Sequence, residues 1–137
     1  MSLFIVFDGI DGNGKTTQAR LLFEHLKKDK AVILTTEPTD GEYGKKINNM
    51  LRRKEAVRIS REKWLELFTL DRREHQTEIR AFLSENKIVI SDRYYYSTLT
   101  YQLQETEWQG YVQEFLRPNV VFIIDIPVET ALERVKK

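Results

Sequence analysis

Residues 9–16, near the N-terminus, have the types and spacing of a phosphate-binding loop. They read GIDGNGKT and match the pattern G-x-x-x-x-G-K-[ST] at every fixed position. Glycines let the backbone turn sharply and approach an anion closely, and the start of a following helix attracts negative charge. Lys15 would place its charge on the β- and γ-phosphates of a nucleotide, and the Thr16 hydroxyl would lie beside Mg²⁺. The residues predicted to bind ATP are Gly9, Ile10, Asp11, Gly12, Asn13, Gly14, Lys15, Thr16 and Thr17.

Apolar runs and helical periodicity predict the elements that position this loop. Residues 3–7 form a continuous apolar run typical of a strand buried on both faces, and a helix should follow over residues 15–28. Ser60 is a suitable N-cap for a long helix. Further strands are predicted at 31–34, 87–91 and 120–126, and helices around Ile47 and at 60–83, 94–103, 108–116 and 128–137.

This alternation of strands and helices favours an α/β fold, in which a parallel sheet is covered by helices on both faces. Ligands of such sheets bind beyond the carboxyl ends of the strands. Three unusual segments follow predicted strands: the loop at 9–16, the segment TEPTD at 36–40, and the pair Asp92 and Arg93. We therefore expect these segments to converge at one edge of one sheet.

The composition limits the remaining possibilities. There are 22 basic and 21 acidic residues, so the net charge of +1 gives no reason to expect a nucleic-acid partner. The chain has no cysteine, and two histidines far apart in sequence do not suggest a zinc site. Neither a membrane-spanning run nor a signal peptide is recognised, which makes the cytoplasm the expected location.

The chain length of 137 residues suits a single domain over residues 1–137. The helix predicted from residue 128 would have little to pack against. We therefore expect this domain to be incomplete at its C-terminus.

Four segments together resemble the thymidylate kinases, a family of P-loop nucleoside-monophosphate kinases. They are GIDGNGKTTQ at 9–18, Glu37 with Pro38, LFTLDRREH at 67–75 and DRYYYSTLTYQ at 92–102. The phosphate loop alone is not specific to this family, but the four segments in this order are. The resemblance implies transfer of the γ-phosphoryl group of ATP to dTMP with Mg²⁺. It also implies a three-layer P-loop NTPase fold with a five-stranded parallel sheet, and a homodimer. We identify no counterpart of the family's C-terminal lid or last strand.

The resemblance also implies which residues bind dTMP. Phe68 matches the aromatic residue that stacks on thymine, and Arg72, one helical turn later, matches the arginine that reads the base. Arg93 matches the arginine on the acceptor phosphate and the migrating phosphoryl group, while Asp11 matches an acidic residue at the 3′-hydroxyl. The residues predicted for substrate binding are Asp11, Glu37, Pro38, Phe68, Arg72, Arg93, Ser97, Tyr101 and Gln102.

The metal and catalytic residues follow from the same resemblance. Asp92 matches a carboxylate near the magnesium, so Thr16 and Asp92 are the predicted metal residues. Glu37 is expected to help hold the magnesium or Arg93. The predicted catalytic residues are Lys15, Arg93 and Asp11.

Each of these residues also has a plainer interpretation. Phe68 could belong to the core, Arg72 could lie in solvent, and Asp11 could only form a turn. Asp92 and Arg93 could form a structural ion pair with each other. Residues interpreted as lying on the surface are Arg73, His75 and Arg134, and some of the tyrosines at 94–96 are expected to be core.

Two other functions remain open at this level. One is a different kinase of the same fold, acting on a deoxynucleoside, on dUMP or on dCMP. The other is a P-loop module that binds nucleotide without catalysis, although no guanine-binding N-K-x-D segment is present.

Overall fold

A computed structural model describes residues 1–136, apart from the side chain of Glu55. Strands and helices alternate along the chain, as the sequence predicts. The elements are β1 (Leu3–Asp8), α1 (Lys15–Leu26), β2 (Val32–Thr36), α2 (Glu42–Leu51), a short 3₁₀ helix (Lys54–Arg58), α3 (Arg61–Ser84), β3 (Ile88–Asp92), α4 (Tyr95–Gln102), α5 (Glu105–Val112), β4 (Val120–Ile123) and α6 (Val128–Lys136).

The strands form one parallel sheet in the order β2-β3-β1-β4. In its register, Ile5 of β1 lies between Ile90 of β3 and Val120 of β4. Residues 1–136 thus contain four of the five strands that the resemblance implies. Because all four strands are parallel, their carboxyl ends share one edge of the sheet, which confirms the predicted convergence of the strand-end segments.

Helices cover both faces of the sheet because successive strand residues point to opposite sides. Phe4 and Val6 of β1 face a core that includes Tyr94 and Tyr95, with α3, α4 and α5 around it. Ile5 and Phe7 face the opposite core, which includes residues of α1. These three layers confirm the predicted fold class. None of the helices within residues 1–136 combines the length and apolar character needed to cross a bilayer.

Helix α3 has the predicted bounds because its cap forms as expected. The Ser60 side chain accepts a hydrogen bond from the Lys63 backbone N–H at 3.1 Å. Helix α5, in contrast, begins and ends earlier than the predicted 108–116. A capping box between Gln104 and Glu107 starts it before Trp108, and the chain turns after Val112.

Strand β4 is shorter than the predicted 120–126 and ends at Ile123. Beyond that point, the Asn13 side chain donates a hydrogen bond to the carbonyl of Ile124 at 2.9 Å. The carbonyl is thereby used by the phosphate loop rather than by a neighbouring strand. This contact links the end of β4 to the loop after β1.

Helix α6 contacts the phosphate loop through Ala131, but the expectation that it would otherwise have little to pack against is confirmed, because Val128, Leu132 and Val135 are more than half exposed. Ala131 is buried, and a Cβ atom placed on Gly12 would lie only 2.6 Å from its carbonyl oxygen. Gly12 also has a φ angle of +81°, which side chains rarely adopt. Glycine is therefore required here for both backbone shape and space.

Candidate active site

The phosphate loop begins α1 with the geometry that anion binding needs. Gly14 precedes the helix with a φ angle of +90° and, as a glycine, offers no side chain to cap its first N–H groups. The loop surrounds a cavity of 400 Å³. Its lining consists of Gly12, Asn13, Gly14, Lys15, Thr16 and Thr17, together with Arg134. The N–H groups of Thr16 and Thr17, which follow at this helix start, are positioned to meet an anion in the cavity.

Asn13 supports the loop from its buried side. Its side chain is buried, and its Oδ1 accepts a hydrogen bond from the Lys15 backbone N–H at 2.9 Å. Of the other residues predicted to bind ATP, Gly9 and Ile10 line a separate cavity of 410 Å³. Asp11 lines the cavity described below as the acceptor cavity. Residues of the loop therefore line three different cavities.

Lys15 is a buried cation with weak protein partners. Its Nζ lies 3.3 Å from the Ile10 carbonyl and 3.7 Å from Asp11 Oδ1. Burial and the nearby Arg93 charge lower the pKa of Lys15, while carboxylates that include Asp11 and Asp92 oppose that shift. A bound polyphosphate would supply the negative charge that this site lacks.

Thr16 and Asp92 place two side-chain oxygens beside the loop. The Thr16 hydroxyl donates a hydrogen bond to Asp92 Oδ2 at 2.6 Å, which joins the start of α1 to the end of β3. Among residues 1–136, no group of three or more histidine, cysteine or carboxylate side chains could hold a metal alone. Mg²⁺ typically takes one or two protein oxygens and completes its shell with water and substrate phosphates. The residues present therefore fit magnesium bound together with a nucleotide.

Arg93 connects the end of β3 to the phosphate loop. Its Nη2 donates a hydrogen bond to Asp11 Oδ1 at 2.5 Å, and its Nη1 donates one to Ser97 Oγ at 2.6 Å. Its backbone has a φ angle of +80°, which is uncommon outside glycine, and its N–H donates to the Phe7 carbonyl at 2.7 Å. Since Arg93 pairs with Asp11 and Asp92 with Thr16, the alternative of a mutual Asp92–Arg93 ion pair is wrong.

Asp8 is a site residue that the sequence reasoning missed. It is fully buried at the end of β1, and its carboxylate accepts hydrogen bonds from Ser97 Oγ at 2.6 Å and from the Tyr94 N–H at 3.1 Å. It also accepts from the N–H groups of Gly9 and Ser97. Asp8 thereby fixes the start of α4 and, through Ser97, Arg93. The available signal was an acidic residue at the end of an apolar strand, as at Asp92.

A second cavity, the acceptor cavity, has a volume of 530 Å³ and lies between the loop, α3 and α4. Eight of the nine residues predicted for substrate binding line it, namely Asp11, Pro38, Phe68, Arg72, Arg93, Ser97, Tyr101 and Gln102. The sequence reasoning missed Leu51, Ala56, Val57, Trp64 and Thr98. Their mainly apolar side chains make this cavity suitable for a flat, largely apolar ring.

Phe68 lies on the cavity wall beside Trp64, and their ring centroids are 6.1 Å apart. Phe68 is only partly buried, whereas the neighbouring Leu67 is fully buried in the fold. Phe68 therefore belongs to the lining of the cavity and not to the fully buried core.

Arg72 is buried, so its interpretation as a solvated arginine is wrong. Only 1% of its surface is exposed. Its Nε donates a hydrogen bond to Glu37 Oε1 at 2.9 Å, and its Nη2 lies 2.8 Å from the same oxygen in an ion pair. Its Nη1 donates to the Tyr111 hydroxyl at 2.8 Å. Burial opposes the charge, but Glu37 raises the pKa of Arg72 above its ordinary value. Arg72 thus remains cationic at the wall of the acceptor cavity.

The contacts of Glu37 correct the expectation that it would hold Arg93 or magnesium. It is buried after β2, next to a cis peptide bond to Pro38, and its carboxylate contacts Arg72 and His75. Burial alone would raise the pKa of Glu37, but Arg72 and the His75 hydrogen bond hold it below the ordinary value. Glu37 therefore supports the cavity wall as a carboxylate rather than lining the cavity.

One of the three residues interpreted as surface lies elsewhere. His75 is 1% exposed and bonds to Glu37. Arg134 is exposed as expected, but it also donates a hydrogen bond to the Gly12 carbonyl at 3.2 Å and lines the loop cavity. Its spacing of three residues from Ala131 on one helix face was the available signal. Arg73 is exposed as expected and pairs with Glu114.

Comparison with known proteins identifies the family. The thymidylate kinase family model matches residues 7–137. The chain belongs to the thymidylate kinase family. The resemblance inferred from the four segments is therefore confirmed.

Individual family members extend this match over nearly the whole chain. A probable thymidylate kinase of Pyrococcus horikoshii is 44% identical over 142 residues, covering 97% of this chain and 69% of that protein. One of Thermococcus onnurineus is 45% identical over 145 residues, covering 97% of this chain and 71% of that protein. The crystal structure of thymidylate kinase from Ehrlichia chaffeensis superposes with a TM-score of 0.80 at 33% identity, over 98% of this chain and 82% of that one.

Proposed function

We propose that the two cavities divide one reaction between them, with ATP in the loop cavity and dTMP in the acceptor cavity. As a member of its family, the protein is a kinase that phosphorylates dTMP with ATP, giving dTDP and ADP. The assignment of ATP and dTMP to separate cavities rests on one observation. Asp11 bonds to Arg93 of the acceptor cavity at 2.5 Å and lies 3.7 Å from Lys15 of the loop cavity, so the two cavities meet at these residues.

Transfer between two bound nucleotides depends mainly on position and charge. The loop N–H groups and Lys15 hold the β- and γ-phosphates of ATP. Arg93 draws the dTMP phosphate toward them, and Ser97 fixes the guanidinium at 2.6 Å. Because the acceptor oxygen already belongs to an anionic phosphate, no strong general base is needed.

We propose Thr16 and Asp92 as the residues that would hold magnesium. Their oxygens lie 2.6 Å apart beside the phosphate loop, and both are of the type that Mg²⁺ prefers. When bound, the ion neutralises charge on the β- and γ-phosphates. Lys15 and Arg134 add positive charge on the same cavity.

Thymine recognition is assigned to Phe68 and Arg72. Phe68 offers a ring face for stacking. A guanidinium has five N–H donors. Nε bonds to Glu37 and Nη1 to Tyr111, and Nη2 pairs with Glu37, so donors remain on Nη1 and Nη2 for a carbonyl oxygen of the base. Asp11 faces the sugar, and the other proposed contacts come from Pro38, Ser97, Tyr101 and Gln102.

Two expectations belong to the whole molecule. We propose that the chain forms a homodimer and acts in the cytoplasm, as the family resemblance and the sequence predict. Size-exclusion chromatography with light scattering tests the dimer directly. A molar mass of one chain at micromolar concentration would contradict it.

Calorimetric titration with a panel of monophosphates tests the acceptor assignment. We expect dTMP to bind more tightly than dUMP, which lacks the methyl group, and than dCMP, which has an amino group where dTMP has a carbonyl. AMP should bind weakly because adenine has no carbonyl oxygen to accept a hydrogen bond from Arg72. Equal affinity for all four, or no binding of dTMP, would contradict the proposal.

A further inference from the structure

His75 is a buried, polar residue without a role in the reaction described above. Its side chain has no exposed surface, and both ring nitrogens have partners. Nδ1 lies 2.7 Å from Glu37 Oε2, and Nε2 lies 2.8 Å from the Thr35 hydroxyl. Burying a polar ring requires such partners, but a leucine would fill the same core without them. The two contacts therefore call for an explanation beyond packing.

The Glu37 carboxylate divides its two oxygens between two residues. Oε2 bonds to His75, whereas Oε1 accepts a hydrogen bond from Arg72 Nε at 2.9 Å and lies 2.8 Å from Arg72 Nη2. The Glu37 backbone N–H also donates to the Asp92 carbonyl at 3.1 Å, so the main chain is fixed as well. With the main chain held, the remaining freedom of the carboxylate is rotation about its own side-chain bonds. His75 removes that freedom.

The orientation of this carboxylate sets the orientation of Arg72. Nε bonds to Oε1, Nη2 lies 2.8 Å from the same oxygen, and the Tyr111 hydroxyl accepts from Nη1 at 2.8 Å. These contacts fix the plane of the guanidinium, whose remaining N–H groups belong to Nη1 and Nη2 at the wall of the acceptor cavity. A rotated carboxylate would redirect them.

We propose that His75 is a positioning residue for base recognition, acting through Glu37 to aim the free N–H groups of Arg72 into the acceptor cavity. This inference rests on the proposed function, because it assumes that the cavity binds dTMP. It predicts a selective effect. Loss of the His75 contact should weaken dTMP binding and leave ATP binding intact, because the loop cavity shares none of these bonds.

Two amide substitutions separate this role from general polarity. In His75→Asn the amide nitrogen can occupy the position of Nδ1 and still donate to Glu37. In His75→Gln the longer side chain carries its amide toward the position of Nε2 and Thr35 instead. His75→Ala removes both contacts. His25→Ala, at an exposed histidine of α1, is the matched control.

The experiment measures the Kd of dTMP and of ATP by calorimetry for each variant, after thermal unfolding has established that the variant folds. We expect His75→Ala and His75→Gln to raise the Kd of dTMP about tenfold, the effect of losing one hydrogen bond to a charged group. His75→Asn and His25→Ala should stay within about twofold, and the Kd of ATP should be unchanged throughout. If His75→Ala does not fold, the comparison of the Asn and Gln variants decides the question.

The outcomes distinguish failure of the proposed function from failure of the positioning role of His75. If the unmodified chain does not bind dTMP, the proposed function and this inference are both overturned. If it binds dTMP but the Asn and Gln variants bind equally well, or dTMP and ATP weaken together, the positioning role is overturned and the proposed function stands. An effect of His75→Gln that persists in an Arg72→Lys background would also overturn it, since the effect must pass through Arg72.

Discussion

Arg93 Nη2 lies 2.5 Å from Asp11 Oδ1, across the boundary between the acceptor cavity and the phosphate loop. Asp11 is exposed, whereas Arg93 is largely buried. The pair therefore holds an arginine in place at the point where two phosphates would meet. An incoming dTMP phosphate would meet an Arg93 guanidinium that is already ordered. It would only have to displace the exposed Asp11 carboxylate or bind beside it.

Replacement of Lys15 by alanine should reduce turnover and leave folding intact. We expect kcat to fall about 100-fold or more, because a charge that stabilises the transferred phosphoryl group is lost. The unfolding temperature should not fall, since burial and Arg93 already oppose this charge in the folded protein. Lys27→Ala, on an exposed lysine at the end of α1, is the control. Full activity of Lys15→Ala would show that the loop has another role.

Replacement of Phe68 by leucine should raise the KM for dTMP and leave the KM for ATP unchanged. Leucine keeps apolar bulk at the cavity wall but removes the ring that stacks on a base, an interaction of about 1 kcal/mol. We therefore expect about a fivefold increase. Phe82→Leu, on the same helix but packed against the core, is the matched control. Equal increases for both nucleotides would indicate general damage to α3.

Replacement of Asp92 by asparagine should raise the Mg²⁺ concentration needed for half-maximal activity. The substitution keeps an oxygen near Thr16 but removes the negative charge that favours a cation there. A change of about tenfold is typical when a group near a metal is altered. Magnesium titrations of Asp92→Asn and of Asp29→Asn, a distant exposed aspartate, measure the difference. An unchanged magnesium requirement would place the metal elsewhere.

Replacement of Glu37 by glutamine should destabilise the fold in a pH-dependent way. At neutral pH we expect a loss of about 3–5 kcal/mol, because Arg72 is left as a buried cation without its anion. The pKa of Glu37 is held below its ordinary value of 4.5, so its stabilising effect is present above that pH and is lost as the pH falls through the lower, folded-state pKa.

Urea unfolding at several pH values measures this effect. The difference in unfolding free energy between Glu37→Gln and the unmodified protein should shrink as the pH falls below 4.5. Glu66→Gln, at an exposed glutamate of α3, controls for the general effect of removing a carboxylate. A difference that is constant with pH, or that grows as the pH falls, would contradict the ionised Glu37–Arg72 pair.

The fold was largely predictable because its strongest signals are local. Buried parallel strands are continuous apolar runs, and Ser60 is the cap that begins α3. The convergence of the phosphate loop, the Glu37 segment and Asp92–Arg93 followed from strand direction alone. The bounds of α5 and β4 were less predictable, because a glutamine-based capping box and the Asn13 contact to Ile124 decide them.

The buried polar partners could not be predicted in the same way. Glu37 and His75 lie 38 residues apart, and no local pattern indicates that they bond. For the same reason Asp8 was missed and His75 was assigned to the surface. The residues that face the acceptor cavity were found through the family resemblance, and their individual roles stay predictions. The residues that support them required the structure.

Initial rates of ADP release with Mg-ATP test the central claim most directly. The acceptors are dTMP, dUMP, dCMP, dGMP and AMP, with Lys15→Ala as the control enzyme. The account predicts turnover with dTMP well above the other acceptors and its loss in Lys15→Ala. Equal turnover with all acceptors, turnover that persists in Lys15→Ala, or none with dTMP would contradict transfer from the loop cavity to dTMP in the acceptor cavity.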